Sequence, residues 1–279
     1  VIEKDPNYKE AYNDLGNVFQ ELGRHQEAIF CYQKLIQIDS DYFKAYFNLG
    51  IVLNKINKHQ EAIKCFKQVI QKDPKNLNSH WLSMNTFPVI YNSFEEIGFY
   101  TKSFEENMNK TNKLLDANIN YSKEQIIEVL ESTTNFHLHY QGKNVLRLQK
   151  KYAQLIERLT KHIYPQFHKK RKKNRASKYI KIGFISSFFR NHSVSKSRKN
   201  WILKLDQKKF KIYIYYPEDR FDRITNLIKN HVDHFINNTD IDQLIYQISE
   251  DSLDVLFYLD IGMNPMMQIL GSLRLAPVQ

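Results

Sequence analysis

The run Asn191-His192-Ser193 combines residue types that can handle protons and hydrogen bonds. A histidine titrates near neutral pH, so His192 could accept a proton from an attacking hydroxyl or donate a hydrogen bond to a sugar or phosphate oxygen. A structural role is the alternative for a lone histidine. The choice between the two depends on where the fold places it.

The segment around His192 is predicted to belong to an open α/β sheet. Alternation of strands with helices implies right-handed crossovers and a mainly parallel sheet. The apolar runs that predict strands are 180–185, 210–216, 232–237 and 253–259, and the helical stretches lie around 195–205, 221–231 and 240–250.

Ligands of such sheets bind beyond the carboxyl ends of the strands. This rule selects four loops, 186–192, 217–219, 237–238 and 260–264, and so places His192 and Asp260 at one edge. The sequence contains no G-x-G-x-x-G after the first strand, no G-x-S-x-G and no Walker A motif. A dinucleotide-binding half is therefore not expected.

An internal repeat fills residues 1–81. Ala-Tyr-Asn-Asp-Leu-Gly at 11–16 returns 34 residues later as Ala-Tyr-Phe-Asn-Leu-Gly at 45–50. This period is the tetratricopeptide signature, a helix–turn–helix unit whose stacks form concave peptide-binding surfaces. Gly16 and Gly50 are expected to let the paired helices approach closely. Asp5-Pro6 matches Asp73-Pro74 at the end of a repeat, which predicts further repeats upstream.

Residues 82–176 are predicted to form a helical connector ending in a basic linker. Ser122 and Gln125 mark a helix start, and an apolar stripe over 144–163 predicts a helix that Pro165 ends. His137 and His139 share a direction only on a strand and have no third ligand nearby, so no metal site is predicted. Cys31 and Cys65 occupy one repeat position and are interpreted as core residues.

The charge is concentrated in one segment. The 279 residues contain 41 Lys and Arg against 30 Asp and Glu, and residues 166–211 alone carry 16 basic residues and one acidic residue. A solvated linker is the common meaning of the run 169–175. A nucleic-acid site that adds Tyr179, Lys181 and Lys199 is a less favoured alternative, as is a nuclear-localisation signal.

No apolar run reaches the length of a membrane span, and the N-terminus has no signal-peptide pattern. Two cysteines in a chain of this length fit a reducing compartment. We therefore expect a cytoplasmic protein, with a nuclear location as the alternative, and no membrane partner.

Several segments carry a family resemblance. Residues 182–194, Ile-Gly-Phe-Ile-Ser-Ser-Phe-Phe-Arg-Asn-His-Ser-Val, resemble the opening of the catalytic region in tetratricopeptide-bearing O-linked N-acetylglucosamine transferases and SPINDLY-type relatives (glycosyltransferase family 41). Residues 253–264 and the ending Arg-Leu-Ala-Pro-Val-Gln at 274–279 are similar to the family's next hallmark. Residues 87–91 and 135–144 resemble the connector of bacterial-type members.

The resemblance implies a fold and an activity. It implies that residues 177–279 form the N-terminal Rossmann-like lobe of a GT-B glycosyltransferase, after repeats that hold acceptor proteins. The implied reaction is metal-independent transfer of a sugar, N-acetylglucosamine from UDP-GlcNAc, to Ser or Thr. No cofactor is implied, since the nucleotide sugar is a substrate. His192 matches the family's active-site histidine, as base or substrate positioner, and the residues expected to bind substrate are Asn191, Ser193, Lys196, Asp260 and Asn264.

The sequence also departs from the family. Ser195 stands where the family often has Gly, and Ile-Gly-Met-Asn at 261–264 replaces a Ser/Gly-Gly/His-Thr run, which fits the bacterial-type branch. The donor-binding lobe would lie beyond position 279, so the sequence as printed is expected to be an inactive part of the enzyme. A non-catalytic tetratricopeptide scaffold is the alternative, but it accounts only for the first third of the chain.

Overall fold

The computed structural model describes residues 8–117, 120–172 and 177–279. The Asp5-Pro6 punctuation and residues 173–175 of the basic run lie outside this described part. The chain divides into two compact units, Val1–Tyr152 and Ala153–Gln279. No helix in the described ranges is both long enough and apolar enough to cross a membrane.

The first unit opens with two helix pairs related by the predicted repeat. They are α1 (Lys9–Glu21) with α2 (His25–Ile38), and α3 (Phe43–Lys55) with α4 (His59–Lys72). All four bounds of the second pair lie 34 positions after those of the first. The helices share a core that includes Tyr32, Leu49, Val52 and Phe66. Fully burying side chains of this size contributes roughly 1.5–3 kcal/mol each.

Both repeat glycines lie where a side chain would collide with the paired helix. A Cβ built on Gly16 would lie 2.5 Å from Cε1 of Tyr32, and one on Gly50 would lie 2.6 Å from Cε1 of Phe66. The close approach predicted from sequence is therefore confirmed. Cys31 is buried and Cys65 packs against the same core, as predicted, and burial raises the pKa of the Cys65 thiol to about 11.

Four more helices follow, α5 (Leu77–Asn85), α6 (Phe94–Asp116), α7 (Lys123–Ser132) and α8 (Leu146–Ile163). The predicted boundary at residue 81 lies inside α5. Trp81 stacks on Tyr152 with ring centroids 5.4 Å apart. Ser122 and Gln125 form the capping box of α7, so this predicted helix start is confirmed. His137 and His139 lie in a short 3-10 helix rather than a strand.

The second unit contains a four-stranded sheet, all parallel, in the order β3-β2-β1-β4. The strands are β1 (Ile180–Ile185), β2 (Phe210–Tyr216), β3 (His234–Asn237) and β4 (Val255–Tyr258). Helices α9 (Ser193–Leu203), α10 (Arg223–Lys229) and α11 (Ile241–Glu250) connect them, and α12 (Pro265–Ser272) follows β4. The predicted parallel sheet is confirmed.

Two strands begin later than the apolar pattern predicts. Before β3, the carboxylate of Asp233 accepts from the backbone N–H of Ile212 at 2.9 Å and from Nζ of Lys211 at 2.6 Å. Before β4, the carboxylate of Asp254 accepts from the N–H of Lys181 at 2.9 Å. In both places an aspartate carboxylate accepts the hydrogen bond that a backbone carbonyl of the strand would otherwise accept. The backbone pairing between the strands therefore starts after the aspartate.

The described start of the basic linker is docked on the second unit. Nε of Arg171 donates to the carbonyl of Arg274 and Nη1 donates to the carbonyl of Ser249, both at 2.9 Å. Burial lowers the pKa of Arg171. At least this cation of the run therefore has a structural role.

Candidate functional site

The loop that follows β1 is held along its backbone by side chains from outside it. The hydroxyl of Ser195 donates to the carbonyl of Phe188 at 2.5 Å, and the hydroxyl of Thr225 donates to the carbonyl of Phe189 at 2.6 Å. The carboxylate of Asp222 accepts from the backbone N–H of Asn191. These contacts fix the path of the loop up to His192.

Asp222 links this loop to α10. It is the N-cap of that helix, and its carboxylate also accepts from the N–H groups of Ile224 at 2.8 Å and Thr225 at 3.1 Å. Burial would raise its pKa, but the backbone donors outweigh that effect and the pKa of Asp222 is lowered. The ionised carboxylate is the form that can accept all these hydrogen bonds.

His192 is the N-cap of α9. Its Nδ1 accepts from the backbone N–H of Val194 at 3.3 Å, and its ring stacks on Phe188 with centroids 4.1 Å apart. A ring nitrogen that accepts a hydrogen bond carries no proton, so the neutral ring carries its proton on Nε2. Half-buried His192 can therefore donate a hydrogen bond from Nε2.

Asp260 lies just after the adjacent strand β4, and its side chain is buried. Its Oδ2 accepts from the N–H of Ser187 at 3.3 Å. Burial raises the pKa of Asp260 to about 6, against the lowering contributions of Ser186 and Ser187, and Glu218 raises it further. Such a carboxyl changes protonation close to neutral pH, which suits proton transfer.

Three buried polar atoms on these two loops have no hydrogen-bond partner among the residues the structure describes. They are Oγ of Ser187, Nε of Arg190 and Oδ1 of Asp260. An unsatisfied buried polar group is costly, so native proteins usually satisfy such atoms with water or a ligand. One hydroxyl, one cationic donor and one carboxylate oxygen suit a ligand rich in hydroxyl or phosphate groups.

The other predicted site residues differ in exposure and in whether their side chains are already hydrogen-bonded. Asn191 is exposed and contributes its backbone to the Asp222 contact, and Ser193 and Lys196 are exposed at the start of α9. Asn264 is the N-cap of α12, since its Oδ1 accepts from the N–H of Met266 at 2.8 Å. Its side-chain oxygen is thus already used by the backbone.

Sequence reasoning placed Phe188 in the predicted loop 186–192 without giving it a role, and it missed Asp222 and Thr225. The Asp-x-x-Thr spacing is a helix-capping pattern, which could have located the start of α10. No sequence signal indicates that the same aspartate reaches the loop 31 positions earlier in the chain.

No group of three or more potential metal ligands occurs in the described ranges. A cavity of about 620 Å³ lies in the first unit, lined by residues that include His59, Ile90 and Tyr100. It contains none of the predicted site residues.

Family models of the tetratricopeptide repeat match residues 1–30, 16–56 and 43–76. The first part of the chain therefore consists of tetratricopeptide repeats, which generally mediate protein–protein interaction. No curated protein matches the sequence significantly.

A mutant O-GlcNAc transferase from Thermobaculum terrenum has a similar structure, with a TM-score of 0.56 and 16% identity. The match covers 97% of this chain and 49% of that one, so the chain spans about half its length. A MamA protein from Desulfovibrio magneticus matches with a TM-score of 0.40 and 20% identity over 59% of this chain and 81% of its own. At 16% identity, the similarity to the O-GlcNAc transferase concerns the fold alone.

Proposed function

We propose that this chain is part of a protein O-glycosyltransferase of the O-GlcNAc transferase and SPINDLY type. In this proposal the repeats hold an acceptor protein, and residues 177–279 form the N-terminal Rossmann-like lobe of a GT-B enzyme. The donor is a nucleotide sugar, UDP-GlcNAc, and the acceptor is a Ser or Thr hydroxyl. The activity belongs to the longer protein that also contains a donor-binding lobe.

The observation that carries the proposal is the fold likeness to an O-GlcNAc transferase over 97% of the chain. Repeats alone would not account for a likeness that extends through the parallel sheet. The strand order 3-2-1-4 supports it, because that order also opens the doubly wound nucleotide-binding fold. The sequence resemblance around His192 and at 253–279 supports the same enzyme class.

The site suggests how its residues would share the reaction. The acceptor oxygen forms a bond to the anomeric carbon, and the bond from that carbon to the diphosphate breaks with its electron pair on the leaving oxygen. The Nε2 proton of His192 would orient an oxygen of acceptor or donor. Oδ1 of Asp260, which has no hydrogen-bond partner among the residues the structure describes, is the candidate acceptor of the hydroxyl proton, since a base with a pKa of about 6 is ionised at pH 7.

Substituting His192 in the longer protein tests this proposal. We expect His192→Ala to reduce sugar transfer, measured with a radiolabelled nucleotide sugar, by at least about 100-fold, a loss typical of a key electrostatic or acid–base group. His192→Asn should keep the α9 cap and separate capping from catalysis. Transfer at the wild-type rate by the Ala variant would contradict the proposal.

A non-catalytic scaffold is the second candidate, favoured by the tetratricopeptide repeats themselves. It predicts that the protein binds peptides but transfers no sugar from any nucleotide donor. The same radiolabel assay on the unmodified longer protein separates the two functions. The coding sequence beyond Gln279 provides a cheaper test, since the proposed enzyme requires a second lobe there.

A further inference from the structure

The exposed face of α9 carries positive charge around one aromatic ring. Lys196, Trp201 and Lys204 are exposed, and Trp201 keeps 51% of its surface in solvent. The guanidinium carbon of Arg198 lies 4.4 Å from the centroid of the Trp201 ring, a cation–π contact. We call Lys196, Arg198, Trp201 and Lys204 the α9 patch.

The charge of the α9 patch is not neutralised locally. Across the described ranges, the patch lysines Lys196 and Lys204 take part in no salt bridge. The nearest carboxylate along the chain, Asp206, pairs with Lys209 at 3.7 Å. The patch is therefore available to attract an anionic partner from solution.

The α9 patch begins beside the candidate site, because α9 starts at its cap His192. At 1.5 Å per residue, Trp201 lies about 14 Å and Lys204 about 18 Å from His192 along the helix axis. An extended polypeptide advances about 3.3 Å per residue, so these distances correspond to about four to six residues of a bound peptide. A peptide whose hydroxyl reaches His192 could thus lay its flanking residues on the patch.

We propose that the α9 patch binds acidic residues of the acceptor polypeptide, about four to six positions from the Ser or Thr that reaches His192. This inference rests on the proposed function and adds a substrate preference to it. The lysines pair with carboxylates, and the stacked Arg198 and Trp201 side chains provide a flat surface for the peptide between them.

Two other anionic partners fit less well. Single-stranded nucleic acids use several aromatic rings on which successive bases stack, whereas the patch has one. A membrane-surface helix needs a broad apolar face, and Trp201 is the single large apolar side chain exposed on α9. An acidic peptide requires only spaced cations and one flat contact.

Peptide binding to the 279-residue chain tests the patch without any sugar donor. The probes are fluorescein-labelled peptides with one serine and three glutamates four to six positions after it or before it, and the same peptides with glutamines. Binding is followed by anisotropy and by quenching of Trp201, while Trp81, which is fully buried, provides a constant background.

We expect a glutamate peptide to bind more tightly than its glutamine counterpart, and Lys204→Glu to weaken that binding about threefold or more. Lys67→Glu makes the same charge change at an exposed position of α4 and should leave binding unchanged. Equal weakening by both variants would overturn the proposal. So would tighter, Lys204-dependent binding of a 20-nucleotide oligo(dT) or of phosphatidylserine vesicles.

A crosslinking experiment tests the spacing. Benzoylphenylalanine replaces the serine of the glutamate peptide, and the labelled segment of the protein is identified by mass spectrometry. We expect labelling of residues 186–193, reduced several-fold when the glutamates are moved ten or more positions away. Labelling that does not depend on spacing would overturn the inference. Transfer by the longer protein to glutamine and glutamate peptides alike would also overturn it, yet would leave the proposed function intact.

Discussion

At the scale of single residues, His192 shows how a backbone contact determines what a side chain can do. Because Nδ1 accepts from the N–H of Val194, the proton of the neutral ring is on Nε2. In that tautomer His192 offers a donor and not a base. The sequence left both roles open, and in the proposed enzyme the capping contact favours the positioning role.

Asp260 leads to a prediction about stability and pH. Its pKa is about 6 in the folded protein, above the ordinary value of 3.8. At a pH between 3.8 and about 6, Asp260 is protonated in the folded protein but ionised in the unfolded chain. The free energy of unfolding should therefore fall as pH rises from 4 to 6, by up to about 3 kcal/mol at 1.36 kcal/mol per pH unit.

Asp260→Asn cannot titrate, so this fall should disappear in urea denaturation measured between pH 4 and pH 7. The variant should then gain stability relative to wild type as pH rises. Asp219→Asn, at an exposed position on the same edge, should keep the wild-type profile. An unchanged pH dependence in Asp260→Asn would show that another group is responsible.

Asp222 leads to a prediction about the loop. Asp222→Ala should lower stability by about 1 kcal/mol through loss of the α10 cap, and should also free the N–H of Asn191. Asp240→Ala is the matched control, since Asp240 caps α11 through the N–H of Gln243 and has no contact with the loop among those described.

Hydrogen exchange at the amides of residues 188–192 distinguishes the two variants. We expect faster exchange there in Asp222→Ala and unchanged exchange in Asp240→Ala, at similar losses of stability. Equal exchange rates in both would mean that the loop does not depend on Asp222.

At the scale of elements, two helical glycines differ in their surroundings. Gly50→Ala should destabilise the repeats by about 1–3 kcal/mol, because its Cβ would collide with Phe66. Gly98 lies in α6 with nothing within 4 Å of a Cβ, so Gly98→Ala should stabilise by about 0.5–1 kcal/mol through helix propensity. Urea denaturation measures both, and effects of the same sign would contradict the packing argument.

The apolar pattern of the sequence does not predict where β3 and β4 begin. The apolar runs at 232–237 and 253–259 include Asp233 and Asp254, and nothing in the alternation marks these as the residues before a strand. Each carboxylate accepts from the backbone of a neighbouring strand that is distant in sequence. Such contacts depend on tertiary structure, so the runs predict the existence of the strands better than their starts.

At the scale of the whole molecule, the repeats and the parallel sheet could be predicted from sequence patterns. The repeats show a 34-residue period, and the strands are apolar runs that alternate with helical stretches. The edge that holds His192 and Asp260 followed from topology alone. The contacts that fix the loop could not be predicted, since they join Phe188 to Ser195, Phe189 to Thr225 and Asn191 to Asp222 across 7, 36 and 31 positions. No local propensity encodes such pairings.

Part of the positive charge of residues 166–211 is used in structural contacts. Arg171 is used to dock the linker, and Lys181 and Lys211 contact the backbone of Asp251 and the carboxylate of Asp233. The nucleic-acid alternative that included Lys181 is weakened by that contact. The lysines of the α9 patch, which form no salt bridge with the part of the chain that the structure describes, lie on the helix that His192 caps.

The contacts that hold the loop after β1 from outside it all involve its main chain: an amide at 187, a carbonyl at 188, a carbonyl at 189 and an amide at 191. Its path therefore does not depend on the exposed side chain of Asn191, whose backbone N–H makes the contact with Asp222. Evolution, or a protein engineer, could exchange that side chain without losing the conformation. New substrate preferences could arise at this position at little cost to folding.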